Sequence, residues 1–274
     1  MAKLTRKLWV GIGAVAIAGT PILSAAIAQE PAHKGHAPPA SADTKASETA
    51  APDGEAYLTD GGPSDTRIRF YRDIELMRGH LRVGGELIAL ALWDEALPHF
   101  LHPTEELYGV MEKYIKLHRI PPFRRELQAL AQAVKAKREG AYRQALKVVH
   151  GRLDGALVVA KKFMTPPHRF TVQSAVEVLR VAQSEYEGSL ENGKFVKPVE
   201  YQDSRGFVWQ AERMIEDAAA KLAALDKEAL QKVRADLAQL KKAWPAPMPP
   251  DAPLLEPGQT SALISDIELH VSRY

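Results

Sequence analysis

From Asp65 to the last residues, apolar side chains recur three and four positions apart, and this spacing restricts the chain to helices. Ile68, Tyr71, Ile74, Leu76, Leu81, Val83, Leu87, Ile88 and Leu92 set the pattern in the first run. No stretch alternates apolar and polar residues as a half-buried strand does, and there is no glycine-rich nucleotide loop. Connections between the periodic runs are short. The pattern therefore predicts an all-α fold, an antiparallel helical bundle of about seven to nine helices occupying 65–274. An αα-repeat solenoid is the alternative, since Trp93-Asp94-Glu95-Ala96-Leu97 resembles a line from such repeats, but no repeat period recurs.

Prolines and glycines set the expected boundaries. Pro98 and Pro103 punctuate the short helix begun at Trp93, and Pro103 suits the first turn of the next, where its missing N–H costs nothing. That helix carries Leu107, Val110, Met111, Tyr114 and Ile115, and Pro121-Pro122 ends it. Further helices are expected over 123–138 (broken at Gly140), 141–163, 170–191 (stopped by Asn192-Gly193), 198–223 and 227–243. A Pro-rich extended stretch, 245–258, leads to a last helix at 259–272 with Leu263, Ile264, Ile267, Leu269 and Val271 inward. Gly79, Gly84 and Gly85 lie inside the first helix, where each costs about 1 kcal/mol against alanine. They mark either a kink or a close approach of two helices.

Residues 1–28 read as a secretory signal peptide. Lys3, Arg6 and Lys7 precede an apolar run from Leu8 to Ile22, and Ala26-Ile27-Ala28 forms the small-x-small cleavage pattern. The expected location is the periplasm, with cleavage after Ala28. Residues 29–64 are rich in Ala, Pro, Ser, Thr and charge, which predicts a disordered linker, with His33 and His36 in it. Removing the signal takes the formal charge from +2 to −1, so there is no electrostatic case for nucleic acid. With no cysteine, disulfides, thiolate metal sites, c-type haem attachment and a cysteine nucleophile are all excluded.

Two stretches concentrate chemistry. His99, His102, Glu105 and Glu106 fall within eight residues, and spacings of three put His99 with His102, and His102 with Glu105, on shared helix faces. Imidazole with carboxylate suits iron, zinc or copper, and His80, Glu75 and Glu86 on the preceding helix are placed to join them. The second stretch runs from Tyr186 to Phe207. Glu200 and Asp203 share a helix face and Tyr201 lies between them, a candidate set of oxygen ligands. The alternative account is acidic capping of a helix start, with Arg205 paired to one of the carboxylates. No nucleophile elbow, Ser-x-x-Lys pattern or HExxH helix is present, and no enzyme is expected. His118, His150, His168 and His270 are scattered and read as structural or solvated.

The segment from Glu185-Tyr186 through Gly193-Lys194 to Glu200-Tyr201-Gln202-Asp203 and Phe207 resembles the helical periplasmic extension of a bacterial iron-permease family. Trp244-Pro245, Pro249-Pro250 and Ile267-Glu268-Leu269 fit that extension. His102-Pro103-Thr104-Glu105 is similar to the His-x-x-Glu motif of imelysin-type periplasmic proteins, an all-helical group linked to iron uptake, although Phe100 stands where that motif usually has glycine. The permease's own Arg-Glu-x-x-Glu motifs are missing. Together the resemblances imply a stand-alone periplasmic helical domain of the kind found beside metal uptake. The expected function is a metal-binding protein, with iron the first choice and copper or zinc the others, that assists uptake or sensing. Its ligands are drawn from His99, His102, Glu105, His80, Glu200, Tyr201 and Asp203, and its partner is a membrane permease or another envelope protein. The competing expectation is a helical scaffold or accessory subunit that holds no metal.

Overall fold

The periodic runs fold as helices. The computed structural model describes residues 63–274. The signal-peptide expectation, and the linker expectation apart from its last two residues, lie outside the described residues. The described elements are α1 (Thr66–Ala89), α2 (Trp93–His102), a π-helical turn (Pro103–Leu107), α3 (Tyr108–Leu117), α4 (Arg124–Lys135), α5 (Glu139–Lys161), α6 (Pro167–Gly188), α7 (Pro198–Asp217), α8 (Ala219–Leu240) and α9 (Pro257–Val271). Their inward faces make one cluster, to which every helix contributes. α1 and α7 lie at its centre: α7 packs along α6 and α1, and α2, α4 and α5 close the other side. Among the described residues no helix is long and apolar enough to cross a membrane.

Several boundaries moved for local reasons. α2 continues through Pro98. The bond that proline forfeits would go to the carbonyl of Asp94, an exposed residue within reach of solvent. α4 stops at Lys135, with Lys137 at φ 53°, and Gly140 lies inside the first turn of α5. α6 begins at Pro167, three residues before the expected start, since proline's fixed φ and missing N–H suit the first helical position. Asn192-Gly193 does not cap a helix, because α6 has already ended at Gly188. It is the tip of a two-residue-per-strand hairpin, β1 (Leu190–Glu191) against β2 (Lys194–Phe195). Both tip residues have positive φ, 51° and 72°, as a tight hairpin turn requires.

α7 ends at Asp217, and the chain turns at Ala218 so that Leu222 reaches the core. Nothing in an alanine-rich stretch announces such a turn, because alanine is the best helix former. Within α8, Asp226 is non-helical and its carboxylate accepts from the Ala229 N–H at 2.9 Å, so a fresh helical segment starts at 227. From there Leu230, Val233, Leu237 and Leu240 are buried, as their spacing predicts. Val110 and Leu269, by contrast, face solvent. α9 begins with a capping box between Glu256 and Gln259.

The Pro-rich stretch between α8 and α9 is strapped to α6 and α7. Trp244 is buried and its indole N–H donates to the Ser204 hydroxyl at 2.6 Å. The hydroxyls of Tyr201 and Tyr186 donate to the carbonyls of Ala246 and Leu255. Arg205 binds the Trp244 carbonyl at 2.6 Å and pairs with Glu86 of α1 at 2.8 Å, not with Glu200 or Asp203.

Candidate metal centre

The centre is built on two glycines. A Cβ on Gly206 of α7 would overlap the Gly79 carbonyl oxygen of α1, and one on Gly79 would stand 2.5 Å from a ring carbon of Phe207. The two helices therefore meet backbone to backbone, a close approach rather than a kink. That contact brings His80, on α1, against Asp203, one turn before Gly206. A third glycine seats α2: a Cβ on Gly84 would lie 2.6 Å from the Phe100 ring. With Phe100 against α1, the last turn of α2 delivers His99 and His102 to the same carboxylate.

Three imidazoles converge on Asp203. His80 Nδ1 is 2.6 Å and His99 Nδ1 2.7 Å from Oδ1, and His102 Nδ1 is 3.0 Å from Oδ2. One ligand atom from each of the four residues lies within 4.8 Å of the others, close enough for small side-chain adjustments to gather them round one ion. The side chains of His80, His99 and Asp203 are at most 4% exposed, and His102 is 20% exposed. The site therefore opens to solvent past His102.

His99 is held from both sides, since its Nε2 is 2.9 Å from the side-chain oxygen of Gln202, whose amide N–H₂ donates to the Met248 sulfur at 3.4 Å. A neutral imidazole has one N–H. Both nitrogens of His99 face acceptor oxygens, and a cation taking Nδ1 would leave the proton on Nε2 for Gln202.

The electrostatics follow from this crowding. Burial would raise the Asp203 carboxyl. The charges of His80 and His99 and the hydrogen bonds from His102 and His80 outweigh it and hold the carboxyl well below the usual range. Burial likewise disfavours a charged His102, but the hydrogen bond and charge of Asp203, with Glu106 and Glu185, win and push its pKa up to about 9. Burial, then the charges of Asp203, Glu106 and Glu200, push Glu185 well above the usual carboxylate range against the pull of His102.

A folded-state pKa above the unfolded one means that protonated His102 stabilises the fold. Its contribution, roughly 3 kcal/mol for a shift of this size, is complete below about pH 6.5 and is lost as pH rises through about 9. The urea midpoint of metal-free protein is expected to fall over that interval, and to fall less in His102→Gln. A wild-type midpoint that stays flat from pH 6.5 to 9.5 contradicts this.

Of the ligands expected from sequence, His80, His99, His102 and Asp203 meet here. Glu105 is exposed on the outside of the π-helical turn, and its neighbour Glu106 faces His102, 3.6 Å from Nε2. Glu200 stands near Lys197 at 3.7 Å, and the Tyr201 hydroxyl is turned to Ala246. Gln202, Glu106 and Glu185 were missing from the expected set. Their signal was proximity in sequence: each is within four residues of a residue already singled out.

The comparisons divide the site. Residues 166–274 match the iron permease-associated 4-helix bundle domain. No curated protein and no solved structure matches the chain. The matched segment takes in α6 to α9 and supports the iron-permease resemblance of residues 185–207 and of the C-terminal region. The His-Pro-Thr-Glu sequence at 102–105 lies outside it. The matched segment contributes Asp203 and Gln202, while the three histidines come from α1 and α2, which precede the match.

Proposed function

We propose that this chain is a non-enzymatic periplasmic protein of iron uptake that carries a metal ion as cargo at His80, His99, His102 and Asp203, and delivers it to a permease or reports its presence. One observation carries the reading: three imidazole nitrogens point at a single buried carboxylate. Such a grouping is costly to maintain for stability alone, because a buried charge must be compensated on every side. The same grouping is what a metal ion needs, since imidazole and carboxylate together suit iron, zinc and copper. The match of residues 166–274 to an iron permease-associated domain supports iron as the cargo and a permease as the partner. The exposed edge of His102 supports loading from that side.

The test is metal content and calorimetric titration of the chain from Gln29 on, purified without a His tag. One ion per chain is expected. His102→Ala should cut the affinity by at least about tenfold, because it removes a ligand, whereas Glu105→Ala should leave it unchanged. Equal affinities in wild type and His102→Ala would place the ion away from this cluster, and no retained metal with no heat on titration would move the assignment to a metal-free scaffold or accessory subunit.

A further inference from the structure

The donor set restricts the charge of the cargo. Resting on the metal-binding reading, we infer that the site takes a borderline divalent cation, with iron held as Fe(II), and discriminates against trivalent ions.

Three of the four converging donors are imidazole nitrogens, which ligate a metal in their neutral form, and the only anion among the four is Asp203. A divalent ion leaves the cluster with one net positive charge, and a trivalent ion leaves it with two. His80, His99 and Asp203 are almost wholly removed from water, so the second charge has little solvent to spread into. Hard trivalent ions look for anionic oxygens, whereas imidazole favours divalent iron, copper, zinc and nickel.

The oxygens that would suit a trivalent ion are engaged elsewhere or, like those of the buried Glu185, lie outside the set of mutually adjacent donors. The Tyr201 hydroxyl donates to the Ala246 carbonyl at 3.0 Å, and that of Tyr186 to the Leu255 carbonyl at 2.7 Å. Both phenols are thus tied to the strap between α8 and α9. Glu106 approaches the far nitrogen of His102, not the one that faces Asp203. Neither it nor Glu200 belongs to the set of mutually adjacent donors.

The experiment titrates metal-free protein with Fe(II) under anaerobic conditions, with Zn(II), and with Ga(III) as a redox-inert trivalent ion. All are run in the same citrate buffer, and Fe(III) is added in a parallel optical titration. Fe(II) and Zn(II) are expected to bind one per chain, with Ga(III) weaker by about tenfold or more. Ga(III) bound as tightly as Fe(II), or a visible phenolate-to-iron charge-transfer band on adding Fe(III), overturns the inference and leaves metal binding standing. No binding of any of these ions overturns both.

Discussion

Asp203→Asn is expected to abolish tight metal binding and to destabilise the metal-free protein by about 3–5 kcal/mol, the usual result of removing one partner from a buried charge network. The substitution preserves shape and removes the single negative charge on which His80, His99 and His102 converge. An amide in its place has one acceptor oxygen and turns its N–H₂ toward at least one ring nitrogen that now has to be unprotonated. His102, no longer held charged by Asp203, loses its proton at lower pH, so the fall in stability between pH 6.5 and 9 should also vanish. Urea unfolding of wild type and variant at pH 7, each with and without Fe(II), measures both effects. A variant that keeps wild-type stability and affinity would show that the carboxylate is incidental to the cluster.

Gly206→Ala is the second large effect. One methyl group at this position runs into the Gly79 carbonyl, a backbone atom that no rotamer change can move aside, and also meets the Val83 side chain at 3.3 Å. α1 and α7 have to separate, at a cost of about 3 kcal/mol, the upper part of the range for overpacked cores. Because the same contact sets His80 against Asp203, metal affinity should fall with it. Gly151→Ala is the contrast: nothing lies within 4 Å of its added carbon, and it sits inside α5. There the gain in helix propensity should stabilise by up to about 1 kcal/mol. Equal urea midpoints for the two variants would mean that the α1–α7 contact does not limit packing.

Much of the fold was legible because burial follows spacing. Leu230, Val233, Leu237 and Leu240 turn inward as their three- and four-residue steps require. The turns least visible in sequence were those dictated by packing, such as Ala218, where local propensity favours continuing the helix. Part of the site was legible for a related reason: His99 and His102 are neighbours on one helical turn, so their spacing alone predicts a shared face. Asp203 could be singled out as a helical carboxylate, but its meeting with His80 depends on Gly79 and Gly206, 127 positions apart, coming together.

The Glu105–Glu106 distinction turns on local geometry. Residues 103–107 form a π-helical turn, wider than an α-turn, so the carboxylate beside His102 comes from the fourth residue along and not the third. No periodicity argument anticipates that widening. Gln202 had only its place beside Asp203 to mark it. An amide has no metal-site signature of its own, and its role comes only from facing the ring nitrogen of His99 that Asp203 does not face.

The placement of the four donors also has a consequence for chain connectivity. His80 and Asp203 are 123 positions apart, and His99 and His102 are 104 and 101 from Asp203. An ion held by all four would close that long loop, much as a disulfide would. For a cross-link of this span, chain entropy lost by the unfolded state favours the native one by on the order of 5 kcal/mol. The chain contains no cysteine, so the cargo would act as a staple that no disulfide supplies, fastening α7, within the matched segment, to α1 and α2.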